Sequence, residues 1–128
     1  MKVPFRIAYA AYLLLILVVS IIPSAGVGSI EMNLFTLRID YPLHALAFLP
    51  IPIFAFLGNE LNCTSFQWNL MLTLATILAL GAEFIQLLVP SRTFNPFDLL
   101  CNLLGLSIGI LIVRIWCRRN RQGRSITL

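Results

Sequence analysis

Residues 83–109 read EFIQLLVPSRTFNPFDLLCNLLGLSIG. Glu83 and Gln86 belong to one hydrophobic helix and Asp98 and Asn102 to the next, with a Pro-Ser-Arg-Thr-Phe-Asn-Pro turn over 90–96 between them. The prolines and the Asn95-Pro96 pair fix the boundaries. Pro90 ends a helix, Asn95 can cap the following one, and Pro96 suits its first position. A charge at the centre of a membrane helix costs about 2.5–3.5 kcal/mol on an insertion scale. A chain that sets several ionisable groups near one membrane surface is using them.

The rest of the chain supports a membrane setting. Of 128 residues, 59% are hydrophobic and 11% charged, and the mean hydropathy is +0.93. Soluble domains carry about 25% charged residues. A spanning helix needs roughly 20 mostly apolar residues. Helices are expected at about 7–23, 42–57, 68–89 and 97–116, within a single membrane domain over 1–128 that ends in a basic tail at 117–128. The predicted fold class is all-α: a polytopic four-helix transmembrane bundle. Pro23-Ser24-Ala25-Gly26 ends the first helix and Gly58-Asn59 the second. Pro50 and Pro52 remove backbone donors inside the second helix, so a bent or re-entrant form is expected there. Ser29 to Ile39 joins the first two helices, and its pattern fits a strand-like excursion or an interfacial turn.

Lys and Arg set the expected orientation. Lys2 and Arg6 lie at one terminus, and Arg114, Arg118, Arg119, Arg121 and Arg124 near the other. Both termini are expected in the cytoplasm. A basic tail beside a membrane helix points to topology and anionic lipid rather than to nucleic acid. The first helix also resembles a signal peptide, with Ser24 and Gly26 in a cleavage-like region. Cys63 and Cys117 then fall on the cytoplasmic side and are expected to be reduced thiols, while Cys101 reads as a small packing residue. No spacing of cysteine or histidine suggests a metal, and no cofactor motif is present.

With this topology the polar residues share one end. Asp40 and His44 start the second helix, Glu83 and Gln86 end the third, Arg92 lies in the turn, and Asp98 and Asn102 start the fourth. Glu83 is expected roughly 10 Å below the end of its helix, from 1.5 Å per residue. The 3- and 4-residue spacings put each pair on one helix face. Asp98, Asn102, Gly105 and Gly109 make a stripe that is polar at its outer end and bare glycine further in. Gly105 and Gly109 permit close helix packing, expected against the third helix, where Thr76 and Ala79 underlie Glu83. Each residue also has a structural reading. Asp98 suits a helix N-terminus, Asp40 a cap, Arg92 a lipid phosphate, His44 a satisfied core position, and Asn102 an interhelical hydrogen bond. Glu83 is the hardest to dismiss, because a buried carboxyl must be neutral or paired.

These residues resemble the pattern of the VanZ-like family of small bacterial membrane proteins. Asp40 and His44 match its Asp-x-x-x-His. Glu83, Gln86, Pro90 and Arg92 match its Glu-x-x-Gln helix and Arg-containing turn. Asp98, Asn102, Gly105 and Gly109 match its Asp-x-x-x-Asn-x-x-Gly-x-x-x-Gly. Many relatives carry Lys after the first Asp; here Tyr41 and Pro42 follow, and Arg38 is the nearby cation. The family's named member is associated with resistance to teicoplanin, a lipid-tailed glycopeptide. The resemblance implies an envelope role in the bacterial cytoplasmic membrane.

Three function classes follow. The first is an outward-facing polar pocket that binds or modifies an envelope lipid or glycan. There Glu83 and His44 are candidate base and acid, Asp98 orients them, and Arg92, Gln86, Asn102 and Asp40 are candidate binding groups. The second is a proton-linked carrier or flippase, which at this size needs a homo-oligomer. The third is a non-catalytic membrane protein whose polar network fixes packing or a partner contact. Turnover, gradient-driven flux, or folding loss without either separates them. Whether the chain is an enzyme stays open at this point. Expected partners are membrane lipids and an envelope ligand, with no nucleic acid.

Overall fold

The computed structural model describes residues 2–21, 40–89 and 94–125, and every regular element among them is an α-helix. They are α1 (Lys2–Ile21), α2 (Asp40–Phe48), α3 (Pro50–Gly58), α4 (Phe66–Gln86) and α5 (Pro96–Ser125). Four stretches are long and apolar enough to cross a membrane: Val3–Ile21, Tyr41–Gly58, Phe66–Gln86 and Pro96–Asn120. The Pro23–Gly26 break, Ser29–Ile39 with Arg38, and Pro90, Ser91 and Arg92 lie outside the described residues.

The second span is α2 followed directly by α3. Leu49 keeps helical dihedrals and bonds to the Ala45 carbonyl at 3.1 Å. Pro50 and Pro52 have no N–H to continue that ladder, so the helix breaks where its backbone donors run out. The interrupted span still runs the length of the molecule. His44 sits among the ends of α4 and the start of α5, whereas the Gly58 carbonyl accepts from Arg6 Nε near the start of α1 at 3.0 Å. The second span is thus long and apolar enough to cross a membrane.

Local chemistry sets the other boundaries. Ser65 caps α4 by accepting from the Trp68 N–H at 3.1 Å. Asn95 caps α5 by accepting from the Phe97 N–H at 3.1 Å, and Pro96 occupies the first helical position, as the sequence requires. α4 stops at Gln86 rather than 89, because Leu87–Val89 tighten into i→i+3 bonds. α5 runs through the expected tail to Ser125, so the described part of that tail is helix rather than a loose appendage.

The spans form a ring. α1 packs on α3 and α4, and α5 packs on α2, α3 and α4. The interior is lined by Ile51, Ala55, Phe56, Ala75, Ala79 and Val113. Leu14, Phe66, Ile77, Leu88 and Leu111 point outward and are exposed. An apolar exterior on this scale marks a lipid-facing surface. In lipid, burial of apolar surface gives little net drive, so close packing and interhelical hydrogen bonds hold such helices together. Tyr12 shows this, donating its hydroxyl to the Ala47 carbonyl at 2.9 Å across the α1–α2 boundary.

Two expectations are corrected. Cys63 and Cys117 are joined in a disulfide, not held as separate thiols. They are 54 residues apart. Only folding brings the α3–α4 loop against the far end of α5. Gly105 and Gly109 do lie at a close helix crossing, but the neighbour is the second span rather than α4. A Cβ on Gly105 would fall on the Ala45 carbonyl, and one on Gly109 would press on the Leu49 carbonyl and the Pro52 ring. The bent span brings its backbone to the glycine stripe, and α4 meets α5 along the neighbouring face.

Candidate functional site

Three spans deliver one polar side chain each to a common point, and α5 adds a second. His44 comes from α2, Glu83 from the last turn of α4, and Asp98 and Asn102 from the first two turns of α5. Glu83 and Asn102 are 0% exposed, in the company of apolar neighbours. Glu83 is therefore sealed laterally by α2 and α5. It lies one turn, roughly 5 Å, before the end of α4, and the i→i+3 bonded turn Leu87–Val89 continues beyond it.

Asn102 organises the group. Its amide nitrogen donates to Glu83 Oε1 at 3.2 Å and lies 3.5 Å from the Ala79 carbonyl. A backbone carbonyl only accepts, which fixes which end of the amide faces α4. The Asn102 oxygen consequently faces His44 Nδ1, at 2.9 Å, and accepts its proton. His44 Nδ1 is also 3.8 Å from Glu83 Oε1, and His44 Nε2 is 3.8 Å from Asp98 Oδ2. One oxygen or nitrogen from each of His44, Glu83 and Asp98 lies within 4.8 Å of the others. Asp98 is the third residue of α5, where its charge also favours the helix dipole. The dipole and the cluster both hold it, so the two sequence readings of Asp98 are compatible.

The group is a nearly closed network. His44 and Asp98 alone among these four reach the surface, with side chains 24% and 13% exposed. Near them in sequence, the rings of Tyr41 and Phe97 meet at a tilt of 42°, with centroids 5.8 Å apart. That aromatic pair was not singled out in the sequence, where Phe97 next to a proline carries no distinctive signal. Gln86 is buried three residues beyond Glu83, yet among the described residues no hydrogen bond joins its side chain to the cluster. Asp40 opens α2, but only its backbone is described, and Arg92 lies outside the described residues. Cys101, next to Asn102, is a partly buried free thiol.

Chemically the arrangement offers two carboxylates and an imidazole whose orientation is fixed by an amide. Such a set can move a proton, hold a cation, or grip a hydroxyl or amine. No curated protein and no solved structure matches the chain. A VanZ/LLP1 family model matches residues 9–117, a region that contains all four spans' cores and every member of the cluster. The chain is a multi-pass membrane protein that belongs to the VanZ/LLP1 family.

Proposed function

We propose that this VanZ/LLP1-family protein binds the polar head of a cell-envelope lipid or lipid-linked glycan at one surface of the bacterial cytoplasmic membrane, and that teicoplanin-type resistance is a phenotype of that binding. The observation that carries the reading is the convergence of His44, Glu83, Asp98 and Asn102 from three spans, with two of them fully enclosed. A helix bundle of this size does not need two carboxylates and a histidine for packing, and in lipid they are costly. His44 and Asp98 would meet the ligand first, because they form the exposed edge. Glu83 would serve as the proton reservoir behind His44, with Asn102 holding both. Arg92, Gln86 and Asp40 would contribute further contacts to a phosphate, hydroxyl or sugar. Turnover, with Glu83 and His44 as base and acid, is the enzymatic form of the same reading.

The Arg-rich tail supports placing the cluster on the outer surface, since it belongs to the opposite end. The Cys63–Cys117 disulfide at that basic end pulls the other way, because disulfides persist in oxidising compartments. The proposal follows the arginines. Labelling of Ser91→Cys in a chain whose native cysteines are replaced should succeed in intact cells. Labelling only after permeabilisation would reverse the orientation and remove the envelope reading.

Native mass spectrometry of the protein purified in mild detergent tests the ligand. A lipid-linked phosphate or glycan species should accompany the wild-type chain and be lost in Asp98→Asn. Only bulk phospholipid, equal in both proteins, would contradict the proposal.

A further inference from the structure

We propose that His44, Glu83 and Asp98 form a binding site for one divalent transition-metal ion. Sequence spacing gives no hint of it, because the three donors come from three different helices.

The argument starts from the histidine tautomer. The Ala79 carbonyl and Glu83 Oε1 hold the Asn102 amide nitrogen, so the Asn102 oxygen takes the proton of His44 Nδ1. In the neutral ring, Nε2 then carries a lone pair. That lone pair faces Asp98 Oδ2, another acceptor, at 3.8 Å. A proton on Nε2 would make this contact an imidazolium–carboxylate pair, and a metal ion between the two acceptors would make it a shared ligand site. Two ligands about 2.1 Å from a common ion lie about 3.4 Å apart at the tetrahedral angle. The observed gap closes onto an ion with a shift of a few tenths of an ångström. One ligand-capable atom from each of His44, Glu83 and Asp98 lies within 4.8 Å of the others, with Glu83 Oε1 3.8 Å from His44 Nδ1 on the other side of the ring.

Two further features fit. Asp98 Oδ1 is buried and takes no hydrogen bond among the described residues, so this carboxylate has unused acceptor capacity. Ligating histidines characteristically donate their second ring N–H to a fixed oxygen, which is the role Asn102 plays here. One imidazole and two carboxylates, without thiolate, suit Zn²⁺ or Mn²⁺. Three protein ligands leave an open position, and the exposed edge at His44 and Asp98 is where it would face. If the lipid reading holds, that position would accept a headgroup oxygen. The metal inference itself is tested without any lipid, so either can fail alone.

The chain contains a single histidine, which makes a direct test available without mutation. The protein is purified without a histidine tag, stripped with chelator and titrated with Mn²⁺. One Mn²⁺ per chain is expected, and pulsed electron paramagnetic resonance on protein labelled with ¹⁵N-histidine should show a directly bound imidazole nitrogen. Zn²⁺ should displace it one for one. His44→Gln and Asp98→Asn should each weaken Mn²⁺ binding at least tenfold while Cys101→Ser leaves it unchanged. Less than a tenth of an equivalent bound, or no histidine coupling in the wild-type signal, would overturn the site and leave protons as its occupants.

Discussion

The two ends of the helix ring are closed by different means. At the terminal end, Arg6 donates to the Gly58 carbonyl at 3.0 Å and to Gln67 Oε1 at 2.8 Å, Asn59 donates to Ser65 Oγ at 2.6 Å, and the disulfide ties Cys63 to Cys117. Those are ordinary devices for joining helix ends: caps, a cation on backbone carbonyls, a covalent tie. At the other end the described contacts are ionisable side chains meeting one another through Asn102. The first end satisfies backbone groups that folding leaves unpaired. The second brings ionisable side chains together and encloses two of the group's members, Glu83 and Asn102. If the cluster end carries the proposed function, substitutions at the two ends should separate binding from most of the stability.

The largest effect belongs to neither end but to the crossing that holds them together. Gly105→Leu places side-chain atoms where the Ala45 backbone already lies. Overpacking typically costs about 1–3 kcal/mol and more when backbone must move. This variant should fail to accumulate as folded protein in detergent, as judged by size-exclusion profile and thermal melting. A melting temperature equal to wild type would mean the glycine faces lipid. Gly109→Leu should follow the same course against Leu49 and Pro52.

Next is the covalent tie. Replacing Cys63 and Cys117 by Ser together should lower stability by about 2–4 kcal/mol, the usual range for such a link. The measured quantity is the melting temperature with and without reductant. Ligand binding at the opposite end should keep its wild-type affinity. Loss of binding with the fold intact would show that the ends are coupled and would break the comparison.

Asn102→Leu should cost about 1–3 kcal/mol, because it leaves buried Glu83 and His44 without the amide that joins them. Unlike the serine pair, it should also abolish ligand binding. The smallest effect is expected at Gly81→Ala, where a Cβ meets nothing within 4 Å. Removing a helical glycine should leave the protein unchanged or stabilise it by up to about 1 kcal/mol. It is the control that distinguishes an empty glycine from the packed ones.

Much of this plan was legible in the chain. Hydropathy located four spans, and Pro50, Asn95 and Pro96 break or cap helices for reasons visible in the residues themselves. The meeting of His44, Glu83, Asp98 and Asn102 followed from counting 3- and 4-residue steps from helix ends that share a membrane face. What could not be read were properties of the ring order. Periodicity gives a helix its inward face but not its neighbour, so Gly105 was matched to α4 when the bent second span occupies that place. Cys63 and Cys117 were unlinked in sequence for the same reason. The α-helix was expected to run to 89 because the tightening of Leu87–Val89 leaves no periodic signal in an apolar run.

The central claim is that the cluster is used and not merely packed, and Glu83→Gln tests it most directly. Gln keeps the shape and most hydrogen bonds of Glu83 but cannot ionise. The variant should insert, melt within a few degrees of wild type, and lose both its envelope ligand and lipoglycopeptide resistance in a susceptible bacterial host. Full resistance in Glu83→Gln, with Glu83→Leu failing to fold, would make the residue a structural hydrogen bonder and contradict the account.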